Sequence, residues 1–278
     1  MNICICGLGL IGGSLAKAVK AKTAHTVYGV DRDAAVAATA LSNGAIDKIA
    51  TERDLADCEL IILALYPKAA VEFVRDHLAD FRPDAILLDT CGIKREVMDG
   101  IRRATAGTSL RFIGGHPMAG IEKSGFSAAF ATLFEGASMI LCTEACRDER
   151  AVKTVGDLCR ALGFARITIS TAEHHDKVIA FTSQLAHVVS AAYIAGQYAT
   201  KHAGFSAGSF RDMTRVARLN PEMWTELFFE NRENLSDVIG ELIENLGKFK
   251  TALDSGDAAG MRTLLKESNE RKIRSENL

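Results

Sequence analysis

The sequence predicts an α/β protein in two parts: a largely parallel sheet with helices on both faces over residues 1–170, then an all-helical part over residues 171–278. Three observations predict it. Near the start, a glycine-rich turn, Gly7-Leu8-Gly9-Leu10-Ile11-Gly12, joins a short apolar run to a helical one. Apolar runs without period-two alternation then recur between helical segments, the pattern of strands buried on both faces by crossover helices. From Thr171 those runs stop, and only helical patterning continues.

Ile3-Cys4-Ile5-Cys6 is the first strand, and Gly13 to Val19 has helical spacing after the turn. A second run, Thr26 to Val30, ends in Asp31, about 20 residues beyond the last of these glycines. Strand, glycine turn, helix, strand and acid in that order make a Rossmann-like dinucleotide-binding domain. Gly7 permits the tight turn, Gly9 lets the backbone approach a pyrophosphate, and Gly12 lets the helix lie close on the sheet. The helix start offers unpaired N–H groups and the positive end of its dipole. Asp31 can accept from both ribose hydroxyls and would repel a 2′-phosphate, which favours NAD over NADP. Arg32 beside it could instead meet a 2′-phosphate or lie on the adenine. The expected cofactor-binding residues are Gly7, Leu8, Gly9, Leu10, Ile11, Gly12, Asp31 and Arg32, with Leu65 at the end of the third apolar run.

Further along, Ala34 to Leu41 is helical, Glu59 to Leu65 is a buried strand, and Pro67 opens the helix carrying Val71, Phe73 and Val74. Ala85 to Asp89 is a strand, followed by a helix from Lys94 and a strand over Leu110 to Gly115. Ala137 to Cys142, a helix through Leu162, and Ala165 to Ile169 complete this part. In the second part, helices are expected over Ala172 to Tyr198 and Ser209 to Arg218. Asn220-Pro221, an N-cap followed by proline at the first helical position, starts another through Leu253. Ser255-Gly256-Asp257 turns into the final helix. This part is too apolar to stand alone and is expected to build a homodimer interface.

Composition excludes several classes. A net charge of −2, with no long basic run, argues against nucleic acid. The first strand begins at Ile3, so no signal peptide is expected. Seven cysteines without CxxC spacing read as reduced cytoplasmic core residues, with neither disulfides nor zinc, and no metal site is expected. Val178 to Ala199 carries no formal charge and is long enough to span a bilayer. Its Thr182, Ser183, Gln184, His187, Ser190 and Gln197 would be penalised in hydrocarbon, so a helix buried in a domain core or subunit interface is expected.

Gly114-Gly115-His116-Pro117-Met118-Ala119-Gly120 follows a strand end, where open α/β sheets place ligands. The glycines would leave His116 accessible, and an ordinary imidazole suits a proton acceptor near neutral pH; a histidine capping the next turn fits the same residues. Arg211, Arg215 and Arg218, at i, i+4 and i+7, would share a helix face suited either to an anionic substrate or to solvent. His187 is the only side chain in the uncharged helix that ordinarily titrates near neutral pH, whereas His174 and His175 read as helix-start residues.

These residues resemble the prephenate dehydrogenase family, the tyrosine-biosynthesis dehydrogenases with prephenate, arogenate and cyclohexadienyl members. The resemblance covers nearly the whole chain. It rests on the glycine turn, Asp89-Thr90-Cys91-Gly92-Ile93-Lys94, Gly115-His116-Pro117-Met118-Ala119-Gly120, Ser183-Gln184-Leu185-Ala186-His187, and Phe210-Arg211-Asp212-Met213-Thr214-Arg215 with Pro221-Glu222-Met223-Trp224. It implies oxidative decarboxylation of prephenate with NAD. His116 would take the ring hydroxyl proton and Arg215 would bind a substrate carboxylate. His187 and Trp224 would line the side-chain end of the pocket, and Glu122 and Asp212 would order the site and its gate. Gly92 stands where many relatives have Ser, and Gln184-Leu185-Ala186-His187 where several have His-Leu-Pro-His, which leaves prephenate and arogenate both open. A monofunctional enzyme is expected, with any tyrosine inhibition at or near the active site. A β-hydroxyacid or imine-type dehydrogenase would need a central-helix lysine, for which only Lys177 is near, and a non-catalytic NAD sensor would leave His116 and Arg215 structural.

Overall fold

Eight strands alternate with helices in the first part: β1 (Asn2–Cys6), β2 (Thr26–Val30), β3 (Lys48–Ile49), β4 (Leu60–Leu63), β5 (Ile86–Asp89), β6 (Arg111–Pro117), β7 (Ser138–Cys142) and β8 (Arg166–Ser170). In the computed structural model, which describes residues 1–277, they form one sheet in the order β3-β2-β1-β4-β5-β6-β7-β8. Neighbours are parallel except at β6 and β7, which run antiparallel. The carboxyl ends of β1, β4, β5 and β6 therefore line one edge, three strand spacings or about 14 Å long.

The continuous apolar runs arise because both faces are covered. Ile3, Ile5, Leu60 and Ile62 point to one core, shared with Leu15 and Val19 of α1 (Leu10–Lys22). Cys4, Cys6, Ile61 and Leu63 point to the other, shared with Val74 of α4 (Pro67–Asp76) and Val97 and Ile101 of α5 (Arg95–Ala104). Each fully buried Ile or Leu contributes about 1.5–3 kcal/mol. The remaining helices of this part are α2 (Ala34–Ser42), α3 (Glu52–Leu55) and α6 (Glu149–Leu162). All seven cysteines are free and buried.

From Ala172 every regular element is helical: α7 (Ala172–Ile179), a π-helical turn (Ala180–Gln184), α8 (Leu185–Ile194), α9 (Gly208–Thr214), α10 (Pro221–Glu230), α11 (Arg232–Asp254) and α12 (Ala258–Ser275). Three expectations need correction. Strand β6 runs on through Pro117, so His116 lies inside it, opposite Ile140, rather than in a loop beyond its end. Helix α9 ends at Thr214, so Arg211, Arg215 and Arg218 do not share one helix face. The long helix from Pro221 is broken at Asn231, a buried residue whose Nδ2 donates to the Asp176 carbonyl (2.9 Å) and Gln184 Oε1 (2.8 Å). Of the uncharged segment, Leu185 and Ser190 are buried within the single chain, while Phe181 is 61% exposed and Tyr193 50%. No helix of the described residues is long and apolar enough to cross a membrane.

The end of β5 is tied by charge. Asp89 and Lys94 are both fully buried side chains in an ion pair. Asp89 Oδ2 also accepts the Cys91 N–H (2.9 Å), and Oδ1 accepts the Gly115 N–H of β6 (3.1 Å). Removing one partner of a dry pair strands the other charge. Lys94→Met should cost about 3–5 kcal/mol of unfolding free energy, read as a fall in the urea midpoint. Adding Asp89→Asn should recover part of that loss. A single-variant loss below about 1 kcal/mol would show that water reaches the pair.

Candidate active site

The glycine turn is built for close approach. Gly7 has φ +88°, and a Cβ there would lie 2.4 Å from the Ala64 carbonyl oxygen and 2.9 Å from Leu65 Cδ2. A Cβ on Gly12 would lie 1.8 Å from the Gly7 carbonyl oxygen, so these two positions are closed by the protein itself. Gly9 differs, because a Cβ there would meet nothing within 4 Å. That space lies at the start of α1, which no side chain caps and whose first turn holds no acid. An anionic pyrophosphate fits such a helix end.

Asp31 is half-buried at the end of β2, with Oδ2 accepting the Leu8 N–H (2.7 Å) and Oδ1 the Asp33 N–H (2.9 Å). A carboxylate keeps further lone pairs for a ribose diol. Arg32 beside it is exposed, and Leu10, Ile11 and Leu65 are half-buried around the turn. The Leu8 side chain is fully buried in the core and its N–H donates to Asp31, so it supports the turn from behind.

Gly114 and Gly115 are also reassigned. They are buried packing positions, where a Cβ would lie 2.7 Å from Met98 Sδ and 2.4 Å from the Asp89 carbonyl oxygen, respectively. They draw β6 against β5 instead of opening access to His116. His116 itself is half-buried. Its Nε2 faces the end of β5 and α10: a Cβ on Gly92 would lie 4.0 Å from it and 3.8 Å from Leu227 Cδ2. Its Nδ1 is 2.8 Å from Nε2 of His175, a fully buried side chain of α7. Burial, then His175 and Lys94, push the His116 imidazole well below its ordinary pKa.

The sequence reading gave His175 no role beyond its helix start. That holds for exposed His174, whose N–H is capped by Thr171, and fails for His175. His175 Nδ1 lies 2.7 Å from Asp176 Oδ1, so the chain His116–His175–Asp176 joins β6 to α7. The available signal was the triplet His174-His175-Asp176 itself, which spacing alone cannot distinguish from a polar first turn.

His187 stacks on Trp224 of α10, with ring centroids 4.0 Å apart, and its Nδ1–H donates to the Ser183 carbonyl (2.8 Å). The π turn places it. At about 100° per residue, His175 and His187 would point about 120° apart on a regular helix; one inserted residue cuts that to about 20°. Arg215, just past α9, pairs with Glu122 in the loop after β6 (2.5 Å), both side chains being largely exposed. Asp212 is exposed on α9, as are Arg211 and Arg218 nearby. Lys177, the lysine an imine-type dehydrogenase would need, is exposed and paired with Glu173 (2.8 Å).

Together these features define a nucleotide-binding α/β protein in which a histidine within β6 faces Gly92 and Leu227, the latter from the helical part. A family model for the prephenate dehydrogenase nucleotide-binding domain matches residues 15–168, and one for the prephenate dehydrogenase dimerization domain matches residues 171–267. The chain belongs to the prephenate dehydrogenase family. It is 33% identical to cyclohexadienyl dehydrogenase of Zymomonas mobilis over 98% of this chain and 95% of that relative. The crystal structure of Aquifex aeolicus prephenate dehydrogenase with hydroxyphenyl propionate and NAD⁺ superposes with a TM-score of 0.86 at 26% identity, covering 99% of this chain and 98% of that one. Synechocystis arogenate dehydrogenase superposes with a TM-score of 0.85 at 25% identity, covering 99% and 100%.

The glycines separate fold from binding. Gly9→Ala should leave the melting temperature unchanged and weaken dinucleotide affinity at least about tenfold, a loss of about 1.4 kcal/mol. Gly12→Ala should destabilise the fold itself. Unchanged titration calorimetry for Gly9→Ala would remove the phosphates from this turn.

Proposed function

We propose that this protein is an NAD-dependent prephenate dehydrogenase, converting prephenate to 4-hydroxyphenylpyruvate and carbon dioxide. The observation that carries this reading is the placement of His116, with Nδ1 engaged by the protein and Nε2 facing the space beside Gly92. Bound NAD, held by the Gly7–Gly12 turn with Asp31 on its ribose, supplies the hydride acceptor. His116 takes the proton of the ring hydroxyl, and Arg215 binds a substrate carboxylate by paired charge-assisted hydrogen bonds. Gly92 and Leu227 border the hydroxyl end, while His187 and Trp224 line the side-chain end. Glu122 holds Arg215 across the mouth between the two parts, and Asp212 belongs to the same gate. Because the ring becomes aromatic as carbon dioxide leaves, the protein need supply mainly orientation, a base and a carboxylate clamp.

Arogenate differs in carrying an ammonium where prephenate carries a keto group. The likeness to the Zymomonas and Synechocystis enzymes supports it as the alternative substrate. Incubation with NAD and each substrate in turn, followed by NADH absorbance, decides between them. Silence with both would end the reading. His116→Asn should lose about 10²–10⁴-fold in kcat while NAD affinity holds. Arg215→Ala should raise KM about 10- to 100-fold with a smaller change in kcat. The base acts only when neutral. Since burial lowers the His116 pKa, it stays neutral further into acid than free imidazole, and the acid limb of kcat/KM should fall below the value of about 6.5 expected of a free imidazole. An acid limb above that value would place the titrating base elsewhere.

A homodimer fits the helical part. Ile243, Leu246 and Leu253 form one stripe on α11 and are 62%, 58% and 71% exposed in the single chain. Leu246→Glu should shift the sedimentation coefficient from dimer towards monomer. The buried free cysteines fit a reducing, cytoplasmic setting.

A further inference from the structure

The ring nitrogens between Asp176 and the pocket can each be assigned a role. Asp176 Oδ1 accepts the Lys94 N–H (2.8 Å) and Oδ2 accepts the Arg95 N–H (2.9 Å), both at the start of α5. A carboxylate at a helix N-terminus, with both oxygens already taking amide protons, has no proton to give. In the 2.7 Å contact with His175, therefore, His175 Nδ1–H donates to Asp176 Oδ1. Burial lowers the His175 pKa, against the opposing pull of Asp176, and a neutral imidazole carries one proton. Its Nε2 is then a bare acceptor, and the partner it meets among the described residues is His116 Nδ1, 2.8 Å away. His116 must place its proton on Nδ1, which leaves Nε2 unprotonated towards Gly92.

We infer that His175 and Asp176 are positioning residues that hold His116 in its Nδ1–H tautomer, so that the lone pair on Nε2 faces the substrate hydroxyl. In water a neutral histidine side chain prefers the opposite tautomer, with the proton on Nε2, which could not accept at that atom. The relay works against that preference. Once His116 has taken a proton at Nε2, its Nδ1–H still donates to His175, and the imidazolium charge is stabilised through His175 by the fixed Asp176 carboxylate. No proton needs to move along the relay.

The kinetic part rests on the proposed function; the tautomer does not. Full-length protein carrying ¹⁵N-labelled histidine, without substrate, reports the protonation of each ring nitrogen through its chemical shift, and His116→Asn identifies the His116 signals. The expected result is a protonated Nδ1 and a bare Nε2 at neutral pH. In His175→Phe, which keeps the ring and loses the acceptor, the proton should return to Nε2. With the active substrate, kcat should fall about 100-fold or more, with NAD affinity unchanged. His175→Gln, whose amide oxygen can still accept from His116, should recover at least tenfold of that loss, which a purely packing role would not produce. A wild-type His116 with its proton on Nε2 would overturn the inference, even if His175→Phe failed to fold. So would a folded His175→Phe that kept both the Nδ1 proton and wild-type kcat. A correct tautomer in a protein inactive on prephenate and arogenate would sink the proposed function and leave the positioning role standing.

Discussion

The carboxylate of Asp176 is where the two parts of the molecule meet. From α7 it accepts the two amide protons that open α5, and it accepts the ring proton of His175. Its own carbonyl accepts Asn231 Nδ2, which also reaches Gln184 Oε1, and Gln184 Nε2 donates to the Leu227 carbonyl of α10. Asp176, Gln184 and Asn231 are all buried. Taken singly, such groups are costly to desolvate, and only a fully connected set offsets that cost. The connection also fixes where α10 ends and α11 begins: a straight helix through Asn231 could not keep the same bonds while holding Leu227 beside Gly92.

A second buried carboxylate, Asp89, does the corresponding work within the sheet. It binds the turn after β5 through Cys91 and Lys94 and holds β6 through the Gly115 amide, one residue before His116. Lys94 thus joins both systems, its side chain on Asp89 and its backbone on Asp176. His116 is located along the sheet by one acid and turned in its plane by the other. Lys94 also supplies positive charge near the imidazole, one reason besides burial that a protonated ring is disfavoured there.

The parts of this arrangement legible in the sequence are those that depend on local geometry. The turn from Gly7 to Gly12, the acid at Asp31 and the doubly buried strands follow from backbone sterics and from which faces must avoid water, and both leave periodic traces. His116, Arg215, His187 and Trp224 stood out through residue type and family resemblance, and the structure brings His187 onto Trp224 and Arg215 onto Glu122. What the sequence hid is tertiary. The arginine spacing suggested a helix face, but α9 stops at Thr214, ahead of Arg215. Nothing in Ala180-Phe181-Thr182-Ser183-Gln184 announces a π turn, whose last residue, Gln184, bonds to Leu227 of α10 and to Asn231 beyond it. Gly114 and Gly115 looked like openings and are contacts.

The location of His175 carries the last consequence. His116 belongs to β6, while the acceptor for its Nδ1 comes from α7 of the helical part. Were the two parts to separate by even a few ångströms, the 2.8 Å contact would be lost and water would meet Nδ1 instead. His116 would then take the tautomer that solution favours, and its Nε2 would carry a proton. The geometry that, on the proposed function, would make a base of this histidine is therefore the same geometry that brings Leu227 of α10 beside Gly92 and His116. The Arg215–Glu122 pair spans the same junction from the solvent side, where exposed charges can exchange partners at little cost. Across one interface, a dry network holds the histidine pair and a wet ion pair stands on the solvent side.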